Sequence, residues 1–168
     1  MILEPTIDIA DVHDLLVGKI RKYFESAGME KAVLGLSGGI DSAIVAALAV
    51  DALGAGNVHG ILMPSEYSSL SSVTDSIELA NNLGIGYDIV PIEKIYKRAM
   101  IEMSRFFELA KWSVAQENLQ ARIRGTILMT WSNRFDALLL NTSNKSELFT
   151  GYGTLYGDLC GAIMVIAD

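Results

Sequence analysis

Residues 32–53 read Ala32-Val33-Leu34-Gly35-Leu36-Ser37-Gly38-Gly39-Ile40-Asp41-Ser42-Ala43-Ile44-Val45-Ala46-Ala47-Leu48-Ala49-Val50-Asp51-Ala52-Leu53. The run Ala32 to Leu36 predicts a short buried strand, and Ala43 to Leu53 a helix that is apolar on every side. The link between them is built from glycines and small hydroxyl residues. A strand that turns at once into a helix leaves the backbone N–H groups of the turn and first helical turn without partners. They face one spot, backed by the positive end of the helix dipole. Such a spot holds a phosphate.

The loop is not a Walker A loop, because G-x-x-x-x-G-K-[ST] needs a lysine and none is present. Nor is it a dinucleotide fingerprint, since Gly35, Gly38 and Gly39 do not fit G-x-G-x-x-G. In place of the lysine stands the carboxylate of Asp41. Two anions a few ångströms apart repel by roughly 4 kcal/mol at an effective dielectric near 20. A bridging cation is therefore expected, most naturally Mg²⁺ with its oxygen ligands. A plain helix cap would account for Ser37 or Asp41, but not for two adjacent glycines flanked by serines. Ser-Gly-Gly-x-Asp-Ser after a strand resembles the loop of the ATP pyrophosphatases, which adenylate a substrate and release pyrophosphate.

Composition narrows the class. A chain of 168 residues with 51% hydrophobic residues suits one domain with a sizeable core. The formal charge of −7 carries no basic stripe for a nucleic-acid groove. The lone Cys160 allows no disulfide framework and no CxxC site, which fits a reducing cytoplasm. His13 and His59 stand apart, so histidine metal ligation is not expected. The N-terminus has no secretion-signal pattern. The longest interior apolar run, Ala43 to Val50, is far short of the ~20 residues that span a bilayer.

On both sides of the loop helix and strand alternate, the sign of a parallel α/β sheet with helices on both faces. Val12, Leu15, Leu16, Lys19, Ile20, Tyr23 and Phe24 predict a first helix closed by Gly28. Val58 to Met63 predicts a second strand, Ser65 to Ser72 a serine-rich loop, Val73 to Leu83 a helix, and Tyr87 to Val90 a third strand. Ile95 to Leu109 reads as helical, with Ile95, Ala99, Met103 and Phe106 on one face. A long helix follows from Val114 to about Asn133, with Leu119, Ile123, Ile127 and Trp131 as its core stripe. Ala137 to Leu140 predicts a fourth strand and Asn141 to Gly157 a polar loop. The apolar run Ile163 to Ala167 begins another strand or helix. Loops at Ser37, Met63-Pro64-Ser65 and Asn141-Thr142-Ser143 converge beyond the carboxyl ends of the strands, where such sheets bind ligands.

Two further segments carry chemistry. Asn118, Arg122, Gly125 and Met129 recur at helical spacing on a face apart from the Leu119 stripe. An amide and a guanidinium one turn apart, with a glycine allowing close approach, suit a phosphorylated or carboxylated substrate. A solvated polar face explains the same residues equally well. Asn141-Thr142-Ser143-Asn144-Lys145-Ser146-Glu147 offers a hydroxyl to a nucleotide and a second carboxylate to a metal or ribose. An ordinary turn and helix cap is the plainer alternative.

Together these segments closely resemble NAD synthetase, in particular the synthetase domain of its glutamine-using branch. The resemblance rests on Leu36 to Ala43, Met63-Pro64-Ser65-Glu66-Tyr67-Ser68-Ser69, Glu117-Asn118-Leu119-Gln120-Ala121-Arg122, and Asn144-Lys145-Ser146-Glu147 with Gly151-Tyr152 and Tyr156-Gly157-Asp158. It implies a Rossmann-like fold of the adenine nucleotide α-hydrolase type over residues 1–168, C-terminally incomplete. It implies ATP-dependent amidation of deamido-NAD (nicotinic acid adenine dinucleotide) to NAD through an adenylated intermediate. Gly35, Leu36, Ser37, Gly38, Gly39, Ile40, Asp41 and Ser42 would cradle the ATP phosphates, and Thr142 would contact ATP. Catalysis would rest on Asp41 and on the backbone from Ser37 onward. Asn118, Arg122 and Glu147 would bind deamido-NAD, and Asp41 and Glu147 would hold Mg²⁺. A homodimer is implied, with the long helix as an interface element and ammonia taken from solution or from a separate glutaminase.

The departures are specific. The family carries a further C-terminal lysine and Ser/Thr that help bind ATP, whereas these residues end at Asp168. The ammonia-using branch has a lysine where this chain has Leu155. No amidase-like segment precedes the loop, and Cys160 is not in a glutaminase-nucleophile context. Two other functions fit part of the pattern. One is another amidating or thiolating ATP pyrophosphatase, disfavoured by the missing CxxC pairs, the acidic charge and the Asn144–Glu147 segment. The other is a non-catalytic nucleotide-binding module.

Overall fold

The computed structural model describes residues 8–106 and 112–167. Five strands, β1 (Lys31–Leu36), β2 (Val58–Leu62), β3 (Gly86–Ile89), β4 (Ala137–Asn144) and β5 (Ile163–Ile166), form one sheet in the order β3-β2-β1-β4-β5. Every neighbouring pair is parallel. Among the described residues the helices are α1 (Ile9–Ala27), α2 (Ile40–Leu53), α3 (Leu70–Leu83), α4 (Glu93–Met103), α5 (Val114–Phe135) and α6 (Lys145–Thr150), with a 3-10 turn at Ala55–Asn57.

Alternation along the strands splits the interior into two cores. Ala32, Leu34 and Leu36 of β1 join Leu140 of β4 on the face covered by α1, α2 and α3. Val33 and Leu139 point to the opposite face, where Ile92, Tyr96 of α4 and Ile123, Leu128 of α5 pack. Buried on both faces, β1 reads as the continuous apolar run seen in the sequence. The α2 helix is apolar all round because it lies between the sheet and α1, with Val45, Ala46 and Ala49 fully enclosed.

Several expectations shift. The third helix starts at Leu70 rather than Val73, because the Ser69 hydroxyl accepts from the Ser72 N–H and caps it. The face of α4 is displaced by one position. Ile92 and Tyr96 are buried and Met100 packs with them, whereas Ile95 is 46% and Phe106 74% exposed. Leu109 lies outside the described residues. The fourth strand does not stop at Leu140 but continues to Asn144, with an irregular register between Asn141 and Asn144 where it pairs with β5. The expected polar loop therefore contains the end of a strand and a short helix. The apolar run from Ile163 is a strand, not a helix. Leu119, Ile127 and Trp131 do pack against the core that contains Ile123, as expected.

Neither histidine stands alone in space. His59 bonds Asp88 at 2.9 Å and stacks on Trp131 at 4.6 Å between ring centroids. His13 on α1 bonds Asp51 on α2 at 2.9 Å and Asp14 at 3.1 Å. These carboxylates, Asp51 foremost, raise the His13 pKa above its ordinary 6.5. A raised folded-state pKa adds stability that is complete below about pH 6.5 and is lost as pH climbs through the folded value. The denaturation midpoint of the protein should therefore fall more steeply from pH 6 to pH 8 than that of His13→Gln. Parallel pH profiles for the two would show that the contact carries no linkage.

Candidate functional site

Parallel chains connect β1 to β2 and β2 to β3 on one side, then return so that β4 enters on the other side of β1. The strand order thus reverses beside β1, and a crevice is expected at its carboxyl end. Backbone pairing opens it. Lys31, Ala32 and Val33 pair with Ala137, Leu138 and Leu139, and no pair follows, so the two strands part from Leu34 onward. A cavity of about 330 Å³ lies there, lined among others by Ser37, Met63, Ser72, Arg124, Thr142 and Asp158. This is within the range of small-molecule sites.

The loop after β1 closes on itself. The Ser37 N–H donates to Ser42 Oγ at 3.3 Å, and the Gly39 N–H donates to Ser37 Oγ at 3.2 Å. Ser42, buried at 2% exposure, donates its hydroxyl to the Gly39 carbonyl at 3.0 Å. These bonds correct the simplest view of the loop. Ser37 and Ser42 use their side chains to shape it, and the N–H groups of Ser37 and Gly39 are already engaged. The N–H groups of Gly38, Ile40, Asp41 and Ser42 have no partner among the described residues, and no side chain caps α2. Four donors at a helix N-terminus remain for an anion. Gly38 has φ +79°, and a Cβ there would stand 2.5 Å from the Ser72 carbonyl oxygen. The start of α3 is thereby held against the loop.

Asp41 is half-buried, and its Oδ2 accepts a long 3.4 Å bond from Asn144 Nδ2. Asn144 in turn forms a capping box with Glu147: its N–H donates to Glu147 Oε2, and its Oδ1 accepts from the Glu147 N–H, both at 2.9 Å. One amide thus links the two acidic residues singled out in the sequence. No cation pairs with Asp41 among the described ion pairs. A carboxylate without a cation, next to free N–H donors, fits a hard divalent ion shared with a phosphate. Glu147 already uses one oxygen as a cap. Among the described residues, no group of three or more acidic, histidine or cysteine side chains forms a metal cluster.

The α5 face is resolved differently from its reading in sequence. Asn118 Oδ1 accepts from Thr154 Oγ1 at 2.7 Å, and Arg122 Nε donates to the Leu155 carbonyl at 3.2 Å. Gly125 lies so close under the same segment that a Cβ would stand 2.9 Å from the Tyr156 carbonyl oxygen. These three residues hold the 154–157 segment, and neither Asn118 nor Arg122 lines the cavity. Ala121, Arg124, Gly125 and Leu128 line it instead, a helical stripe one position away. Thr142 also lines it.

Three features went unread in the sequence. Arg124 lies two residues beyond the Glu117–Arg122 segment, off both the Leu119 and the Asn118 stripes, and lines the cavity. Buried Asn141 ties the end of β4 to the following segment, donating to the carbonyls of Asp158 at 2.7 Å and Cys160 at 2.9 Å. Ser68, Ser72 and Ser76 form a hydroxyl-bearing wall. Burial pushes the Cys160 thiol up, so it is protonated near neutrality and is not an activated nucleophile.

A parallel sheet whose strand order reverses at a serine–glycine loop, with unpaired N–H donors in the residues that follow cavity-lining Ser37, defines an α/β nucleotide-binding domain. The chain belongs to the NAD synthase family, matching it over residues 12–168. It is 50% identical to the glutamine-dependent NAD(+) synthetase of Synechocystis over 167 residues, covering 98% of this chain and 29% of that protein. Among solved structures, glutamine-dependent NAD+ synthetase from Acinetobacter baumannii in complex with ADP matches with a TM-score of 0.93 and 44% identity, covering 100% of this chain and 32% of that one. NH3-dependent NAD synthetase from Campylobacter jejuni matches with a TM-score of 0.88 and 35% identity, covering 97% of this chain and 69% of that one. The chain therefore spans about a third or less of the glutamine-dependent relatives it resembles. Among the described residues, no helix is long and apolar enough to cross a membrane.

Proposed function

We propose that this domain activates the nicotinate carboxylate of deamido-NAD with ATP and transfers it to ammonia, giving NAD, AMP and pyrophosphate. The observation that carries this reading is the uncapped, serine-braced loop of residues 37–42 beside Asp41, in a chain half identical to a glutamine-dependent NAD(+) synthetase. The ADP in the Acinetobacter baumannii relative supports an adenine nucleotide in the cavity.

A carboxylate is a poor acyl donor because oxide is a poor leaving group. Attack of one carboxylate oxygen on the α-phosphorus expels pyrophosphate and leaves an acyl adenylate. Ammonia then adds to the carbonyl, AMP leaves, and the amide remains. No side-chain nucleophile is needed. The N–H donors of Gly38, Ile40, Asp41 and Ser42 receive the phosphate charge that develops as pyrophosphate departs, already oriented before reaction. Thr142 offers its hydroxyl to the nucleotide from β4. Asp41, with Glu147 as a second carboxylate, would hold Mg²⁺, which supplies charge neutralisation of the polyphosphate. Asn118 and Arg122 act by fixing the 154–157 segment around the dinucleotide.

We assign the nitrogen source to ammonia released by a glutaminase, as the names of the glutamine-dependent relatives suggest, and the working unit to a cytoplasmic homodimer. The test is direct. Incubation with ATP, Mg²⁺, deamido-NAD and ammonium should yield AMP and NAD in equal amounts. ATP binding without AMP release would favour a non-catalytic nucleotide-binding role instead.

A further inference from the structure

Among the described residues Arg124 is the one cavity-lining cation, and the proposed mechanism leaves it unused. Its helix places it beside Ala121, Gly125 and Leu128, and its Nε donates to the Met63 carbonyl at 3.2 Å. Among the described residues that single neutral oxygen is its partner: its Nη donors have none, and no carboxylate forms an ion pair with it. Desolvation lowers the guanidinium pKa, as expected for a cation drawn out of water without a counter-charge. Asp158 lines the same cavity but makes no ion pair with it, and Asp158 Oδ1 accepts from the Thr154 N–H at 2.5 Å.

Arginines with a structural task look different in this protein. Arg21 donates from Nε and Nη2 to the carbonyls of Ala52 and Asp51 at the end of α2. Arg122 makes a like Nε bond, to the Leu155 carbonyl, but is exposed to water, where its remaining donors are solvated. Two residues further along the helix is more than half a turn, so Arg124 faces the other way. A planar fork held by one nitrogen, with its remaining donors open, is suited to bidentate capture of an oxyanion.

We propose that Arg124 is the anion-binding residue of this cavity, pairing with an oxyanion carried by the ligand. The source is either a phosphate of ATP or an anionic group of the dinucleotide, its phosphates or the carboxylate to be activated. The proposal rests on reading the cavity as the nucleotide and substrate site. Calorimetric titration of the protein, Arg124→Gln and Arg124→Lys with ATP, adenosine, deamido-NAD and NAD separates the sources. Arg124→Gln should weaken ATP or deamido-NAD by about 10- to 100-fold while adenosine changes by less than about 2-fold. Loss confined to ATP assigns the nucleotide phosphate. Loss confined to deamido-NAD, with NAD unchanged, assigns the carboxylate, and equal loss for both dinucleotides assigns their phosphates.

Arg124→Lys keeps the charge without the fork and should lose about 3- to 10-fold, and it carries the test if the glutamine variant does not fold. Unchanged affinities for all anions would overturn the proposal, as would adenosine weakening as much as ATP. Wild-type protein that binds ATP but not deamido-NAD would refute the proposed function and leave the ATP arm to decide Arg124. Wild-type protein that binds none of the four would refute both.

Discussion

Asp41→Asn is expected to lower the rate of AMP formation about 100- to 1,000-fold while leaving adenosine affinity unchanged. The substitution preserves size and the contact with Asn144 and removes only the negative charge. Structural damage should be small. A carboxylate in the first turn of α2 interacts with the helix dipole for about 0.3–1 kcal/mol, so the variant should unfold at nearly the same urea concentration. Stability and activity are thereby separated in one variant. Steady-state kinetics over a Mg²⁺ series provides the check, because a weakened metal contact moves the magnesium requirement upward. Near wild-type turnover with an unchanged magnesium dependence would remove Asp41 from its assigned role.

Gly38→Ala should destabilise the protein by about 2–4 kcal/mol and also weaken ATP binding. Two causes add. The backbone at Gly38 sits at φ +79°, where any side chain is strained. The new methyl would stand 2.5 Å from the Ser72 oxygen and 2.7 Å from its Cα, backbone atoms that no rotamer change can clear. Either α3 or the loop must move, and both border the cavity. Gly56→Ala is the matched control. Its Cβ would meet nothing within 4 Å, so it should stay within about 0.5 kcal/mol of wild type. Urea denaturation of both variants measures the difference. Equal stability of the two would mean that the packing of Ser72 on Gly38 does not constrain the loop.

The parts legible in the sequence were those dictated by local chemistry. A strand entering a helix through Ser37-Gly38-Gly39 admits few conformations, and the Asn144–Glu147 capping box is written in residue types alone. The buried strands β1 and β2 followed from apolar runs bounded by glycine and proline. What escaped was decided by tertiary contacts. On α5, adjacent faces are about 100° apart, and periodicity shows that a stripe exists without showing what it meets. Asn118 and Arg122 are expected from sequence as ligand contacts, and nothing local foretells the bonds they make to Thr154 and Leu155, far away in sequence. The cavity went to Arg124, on the neighbouring stripe. The face of α4 slipped by one residue for the same reason. The extension of β4 through Asn141 to Asn144 carried no apolar signal, because the buried Asn141 amide satisfies the backbone carbonyls of Asp158 and Cys160. A polar side chain does there what an apolar residue cannot.

In the reaction we propose, a carboxylate oxygen joins the α-phosphorus of ATP. Deamido-NAD labelled with ¹⁸O in its nicotinate carboxylate follows that oxygen, with ATP, Mg²⁺ and ammonium as co-reactants and mass spectrometry of the products. One labelled oxygen should appear in AMP and none in pyrophosphate. Label in orthophosphate or pyrophosphate, or unlabelled AMP formed alongside NAD, would contradict it.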